Sequence, residues 1–91
     1  MSPELRVNAI QELLNTALNP DMLEVTDDSH KHAGHAGAQG GAGHFAIMIV
    51  SPLFSGKNRI QRHRLIYAAL DQMMNSDIHA LSIQAYDSEE I

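Results

Sequence analysis

The chain has no cysteine and no tryptophan, and only three prolines, two tyrosines and two phenylalanines in 91 residues. Without cysteine it forms no disulfide and offers no thiolate of its own to a metal or a substrate. No serine sits in a nucleophile elbow. Asp27 and Asp28 are neighbours, and neighbours in a strand point to opposite faces, so they do not pair as acid and base. An enzyme is not expected. No apolar run approaches the ~20 residues of a membrane helix. The opening MSPELRVNAI has neither a basic n-region nor an apolar h-region, so a cytoplasmic place is expected.

Basic residues are also scarce. Six Lys and Arg face eleven Asp and Glu, for a net charge of −5. That balance argues against a chain whose whole surface binds nucleic acid. The six are unevenly placed, however. Lys57, Arg59, Arg62 and Arg64 fall within eight positions, and no acid lies between Asp28 and Asp71. One basic segment stands on an otherwise acidic protein.

What is present reads as one thin-cored domain over residues 1–91. Ser2-Pro3-Glu4 suits a helix start. Val7, Ile10, Leu14 and Leu18, with Leu13 and Ala17, repeat at helical spacing until Asn19-Pro20. Leu23 to Thr26 alternates as a strand does. HFAIMIV, from His44 to Val50, reads as a central strand with Phe45, Ile47 and Ile49 on one face and Ala46, Met48 and Val50 on the other. Ser51-Pro52 stops it and Ser55-Gly56 turns the chain. A helix is expected from about Asn58 to Asn75, striped by Ile66, Ala69, Leu70, Met73 and Met74, either as one helix or split by a break near Arg59 to Gln61. HALSIQAY, from His79 to Tyr86, makes a last strand, with His79 on the face of Leu81 and Ile83 as a core-edge residue. The acidic tail 87–91 is expected to fray. Helix, strand, strand, one or two helices, strand is an α+β order with helices on one face of a three-stranded sheet.

Between the first two strands lies DSHKHAGHAGAQGGAGHF, a flexible Gly/His loop over 28–44 that holds four of the six histidines and five of the six glycines. Imidazole, with an unperturbed pKa near ~6.5, is metal-competent at pH 7. His30, His32, His35 and His44 are therefore metal candidates, against the commoner reading of a solvated loop with weak affinity for zinc, nickel or copper. Ordering such a loop costs backbone entropy, and it supplies no fixed second shell. His63, in QRHRLIY, is held on a helix and is the better-positioned candidate. As a surface helical residue it needs no function at all. The segment GKNRIQRHR, with Lys57, Arg59, Arg62 and Arg64, suits phosphate at a helix start in a turn-then-helix frame; the alternative is a charged solvent face. The G-x-x-G matches in the loop lie between strands, where the nucleic-acid clamp of that spacing does not work.

LEVTDDSHKH, then HFAIMIVSPLFSGKNRIQRHRLIYAAL, then IHALSIQAY resembles the BolA proteins over nearly the whole chain. The most specific part runs from Val50 to Arg64. The resemblance implies an α-β-β-α-α-β fold like class II KH domains. It implies a non-enzymatic adaptor, monomeric alone, that forms a heterodimer with a monothiol glutaredoxin. The pair would share a [2Fe-2S] cluster with glutathione, for iron–sulfur trafficking or iron and redox sensing. His63, from the Arg-His-Arg helix, would be one ligand and His32, from the loop, the other. Bacterial members are also described as transcriptional regulators of stress response and cell shape, and DNA contact would fall on the basic segment 55–70.

Overall fold

Ile10, Leu14 and Leu18 recur at four-residue intervals and are buried along one stripe of α1 (Pro3–Leu18). Each such side chain contributes about 1.5–3 kcal/mol on burial. The computed structural model describes residues 3–28 and 43–91; expectations that rest on His30, His32 and His35 lie outside them. The helix stops at Asn19, whose φ of 42° is left-handed, a conformation that asparagine tolerates. β1 (Met22–Asp27) follows and runs antiparallel to β2 (Gly43–Val50), from Met22 opposite Val50 to Asp27 opposite Phe45. β3 (Ile78–Tyr86) lies parallel to β2 on its other side. A parallel pair needs a crossover, which α2 (Arg59–Ala69) and α3 (Asp71–Met74) supply.

The core lies on one face of this three-stranded sheet. Phe45, Ile47 and Ile49 point into it from the central strand and join Ile10, Leu14, Ile66, Leu70, Met73 and Ile78. The alternation read from HFAIMIV holds: Ala46 and Met48 are half-buried on the opposite face, where Glu24, Thr26, Ser82 and Gln84 are exposed. The α+β class and the element order stand as expected.

Three details depart from the sequence reading. The helical break falls at Leu70, not near Arg59 to Gln61. Asn58 and Gln61 form a reciprocal capping box that starts α2 cleanly at Arg59. The acidic tail carries structure that its composition did not announce: Ser88–Glu90 is a 3-10 turn capped by Asp87. His79 is not a core-edge residue. The β2–β3 register shifts between Gly43 and His44, so two residues stand between inward-facing Ile78 and Leu81, and His79 is exposed.

Ser51 is the one buried polar residue among those described. Its hydroxyl donates to the Leu18 carbonyl at 2.6 Å and accepts from the Leu53 amide at 3.1 Å. It thereby joins the end of α1 to the end of β2 and starts a 3-10 turn, Pro52–Phe54, whose Phe54 is buried.

Candidate functional site

The register gives the sheet two distinct ends. At one end β2 finishes, β3 finishes and α2 begins. Gly56, at φ 74°, makes the turn into this end. Lys57, Arg59 and Arg64 are exposed there and carry no ion pair among the described residues. His63 is half-buried on α2 and separates two open grooves. One, of about 480 Å³, runs between α2 and the last residues of β3 and is lined by Lys57, Arg59, Arg62, His63 and Glu90. The other, of about 780 Å³, is lined by Arg59, Ile60, His63, Arg64 and Tyr67. Ile60 and Tyr67 are exposed beside His63 on the same side of the helix.

Arg62 belongs to the same run but is held inside the fold. Its Nε donates to the Lys57 carbonyl at 2.9 Å, and one terminal nitrogen donates to the Ala85 carbonyl at 3.1 Å and the Glu90 carboxylate at 2.6 Å. The guanidinium also lies 5.9 Å from the Phe54 ring centre. Of the four cations read as one basic segment, three are therefore presented to solvent and one is a bracket between α2, β3 and the tail. Glu90 accepts from the Asp87 amide as well. That bond first, and Arg62 second, hold its carboxyl below the ordinary carboxylate range.

At the other end β1 finishes and β2 and β3 begin, so both roots of the Gly/His loop are here. The Asp28 amide bonds the His44 carbonyl at 2.8 Å, and the Gly43 amide bonds the Asp77 carbonyl at 3.0 Å. Arg6 of α1 reaches Asp77 at 3.5 Å. The His44 and His79 rings face each other with centroids 5.0 Å apart and planes tilted by 48°. Among the described residues no three His, Asp or Glu side chains converge as a metal site.

The candidate residues are thus divided. His44 stands at the loop's root, and the bulge brings His79 to it. His63 does not share this end: its groove is floored by Ile83 to Tyr86, four or more residues further along β3 than His79, or roughly 13 Å at ~3.3 Å per residue. α2 enters at the opposite end of the sheet from the loop's described roots, so His63 stands apart from His44 and His79; its expected pairing with His32 rests on a residue outside those described. Sequence reading missed the places of His79 and Glu90. The bulge that exposes His79 left no mark in the sequence, whereas Asp87-x-x-Glu90 carried a capping-box spacing.

Comparison with known proteins agrees with this architecture. The family model described as BolA-like protein matches residues 14–90. SufE-like protein 1, chloroplastic/mitochondrial, of Arabidopsis thaliana is 47% identical over 90% of this chain, which spans 24% of that relative. The DNA-binding transcriptional regulator BolA of Escherichia coli is 37% identical over 89% of this chain and 74% of its own length. The solved BolA domain of SufE1 from Arabidopsis thaliana superposes with a TM-score of 0.85 at 42% identity, over 100% of this chain and 99% of that domain. Relatives are named from organelles and from a bacterium, so compartment does not follow from kinship; no described helix is long and apolar enough to cross a membrane. The specific run from Val50 to Arg64, the α-β-β-α-α-β order and these matches together place the chain in the BolA-like protein family.

Proposed function

We propose that the chain is a non-enzymatic adaptor that binds a monothiol glutaredoxin and contributes histidine to a shared [2Fe-2S] cluster. The observation that carries this reading is the imidazole pair at the root of the His-rich loop. His44 and His79 come within 5.0 Å there, on strand ends fixed by the sheet. A loop histidine such as His32 starts four residues after Asp28, which is itself hydrogen-bonded to His44. Imidazole nitrogen suits iron, and the absence of cysteine leaves thiolates to the partner and glutathione. We therefore assign the strand-held ligand to His79 rather than to His63, with His32 as the loop ligand. When bound, the cluster would supply an exchangeable, redox-active iron centre, with nitrogen ligation raising its potential. The chain's own part is to hold one imidazole on a strand while the other arrives from the loop.

The direct test is visible absorption and circular dichroism of a cluster-bearing monothiol glutaredoxin titrated with this chain and with His32→Ala. The wild type is expected to reshape the spectrum to a saturable end point, and His32→Ala to weaken or alter it. An unchanged spectrum with the wild type would remove the adaptor reading.

A second reading has its own support. Lys57, Arg59 and Arg64 are exposed before and along the first half of α2 and carry no ion pair among the described residues, and one relative is named as a DNA-binding transcriptional regulator. On this reading the α2 end contacts the phosphate backbone of nucleic acid. Such contact weakens steeply with salt, as iron ligation does not.

A further inference from the structure

We propose that the C-terminal turn Ser88–Glu90 is a strap that screens the basic groove, with the Glu90 carboxylate standing where a nucleic-acid phosphate would meet Arg62. The inference rests on the second reading above and adds a means of regulating it. The groove of about 480 Å³ has Lys57, Arg59, Arg62 and His63 along its α2 wall, and Glu90 is the one acid that lines it. A carboxylate already lies on the guanidinium at 2.6 Å. The other bonds of Arg62, to the carbonyls of Lys57 and Ala85, orient it without using an anion. If Glu90 leaves, a guanidinium fixed in orientation faces the groove with a free donor, which suits it to a phosphate oxygen.

The strap is fastened at two points. Glu90 holds Arg62, and the Ser88 hydroxyl donates to the Asp21 carboxylate just before β1. Neither point is buried. The Glu90 side chain is 47% exposed, so its pair with Arg62 is of the weak, salt-screened kind. A ligand that brings several phosphates at once can displace it, because Lys57, Arg59 and Arg64 attract the same backbone. The carboxyl of Glu90 is held below its ordinary range, so it is charged at neutral pH and competes as an anion. Freed, the groove would present three cations, Lys57, Arg59 and Arg62, to a phosphate backbone in place of the two now exposed along it, with Arg64 on the neighbouring groove.

Fluorescence anisotropy of a short labelled DNA duplex across a salt series tests this with two variants of equal charge. Glu90→Gln takes the anion off Arg62 and leaves only a neutral amide acceptor in competition with phosphate. Glu89→Gln removes the same charge from a residue whose backbone amide alone bonds within the turn. Glu90→Gln is expected to bind the duplex about 2–5-fold more tightly than Glu89→Gln, the gain of one weak ion pair. The slope of log affinity against log salt should steepen by about 0.9, the mark of one added phosphate contact. In an Arg62→Gln background the two variants should bind alike. Equal gains from Glu90→Gln and Glu89→Gln with Arg62 present would reduce the effect to net charge and overturn the strap. No binding by the wild type or any variant at low salt would instead overturn the nucleic-acid reading, and the strap with it.

Discussion

Arg62 reads in sequence as one member of a basic run, but its surroundings make it a structural residue. It bonds two carbonyls and one carboxylate, and its side chain is 14% exposed. Sequence carries the charge of such a residue and not its partners, because Ala85 and Glu90 lie more than twenty positions away. Glu90 follows the same logic with pH. Its carboxyl is held below the ordinary carboxylate range by the Asp87 amide first and by Arg62 second. A folded value below the unfolded one means that the contribution is complete above the unfolded value and is lost as pH falls through the folded one. Lys57, Arg59 and His63 line the same groove, and the two fixed cations Lys57 and Arg59 favour the ionised form. The turn is expected to stay docked at neutral pH and to detach acid of the ordinary carboxylate range. Amide chemical shifts of Asp87 and Glu90 should report one coupled step there, and Glu90→Gln should abolish it. At Gly56 the φ of 74° is the constraint. A Cβ would meet nothing within 4 Å, so Gly56→Ala should cost about 1–2 kcal/mol in denaturant unfolding from backbone strain alone. A negligible cost would mean that the turn relaxes.

At the scale of elements, most of the fold was legible because periodicity carries it. Ile10, Leu14 and Leu18 mark α1, and Phe45, Ile47 and Ile49 mark the inward face of β2. What was not legible depends on joints between elements. The break at Leu70, the bulge beside His79 and the docked tail are each decided by a partner distant in sequence or by a shift of one residue, which pattern does not encode. Ser51 is such a joint. Its hydroxyl serves the last turn of α1 and the first amide of the turn after β2. Ser51→Ala leaves the Leu18 carbonyl without that partner in a buried place, and thermal or urea unfolding should show a loss of about 1–3 kcal/mol. Asn58 is a second joint, and Asn58→Ala should cost about 0.5–2 kcal/mol by removing one half of the capping box. A loss no larger than that of an exposed helical substitution would show that α2 starts without its cap.

The whole molecule is a short sheet with chemistry at both ends. The loop root, with His44 and His79, lies at one end, and the basic start of α2, with His63, lies at the other. His32, His44 and His63 were visible as candidates in the sequence; His79, read there as a core-edge residue, was not, because a parallel β2–β3 pair with its bulge sets which histidine stands at the loop's root. Separation at this scale makes salt the discriminating variable. Duplex binding through Lys57, Arg59 and Arg64 should fall steeply between low and physiological salt, while uptake of a cluster-bearing glutaredoxin should change little. The central assignment is that of the strand-held ligand. The most direct measurement is electron paramagnetic resonance of the reduced, mixed complex with this chain alone carrying isotope-labelled histidine. Hyperfine coupling from labelled nitrogen is expected for the wild type and for His63→Ala, and should be diminished in His79→Ala. Coupling that survives in His79→Ala and is diminished in His63→Ala would contradict the assignment and move the cluster to the α2 end of the sheet.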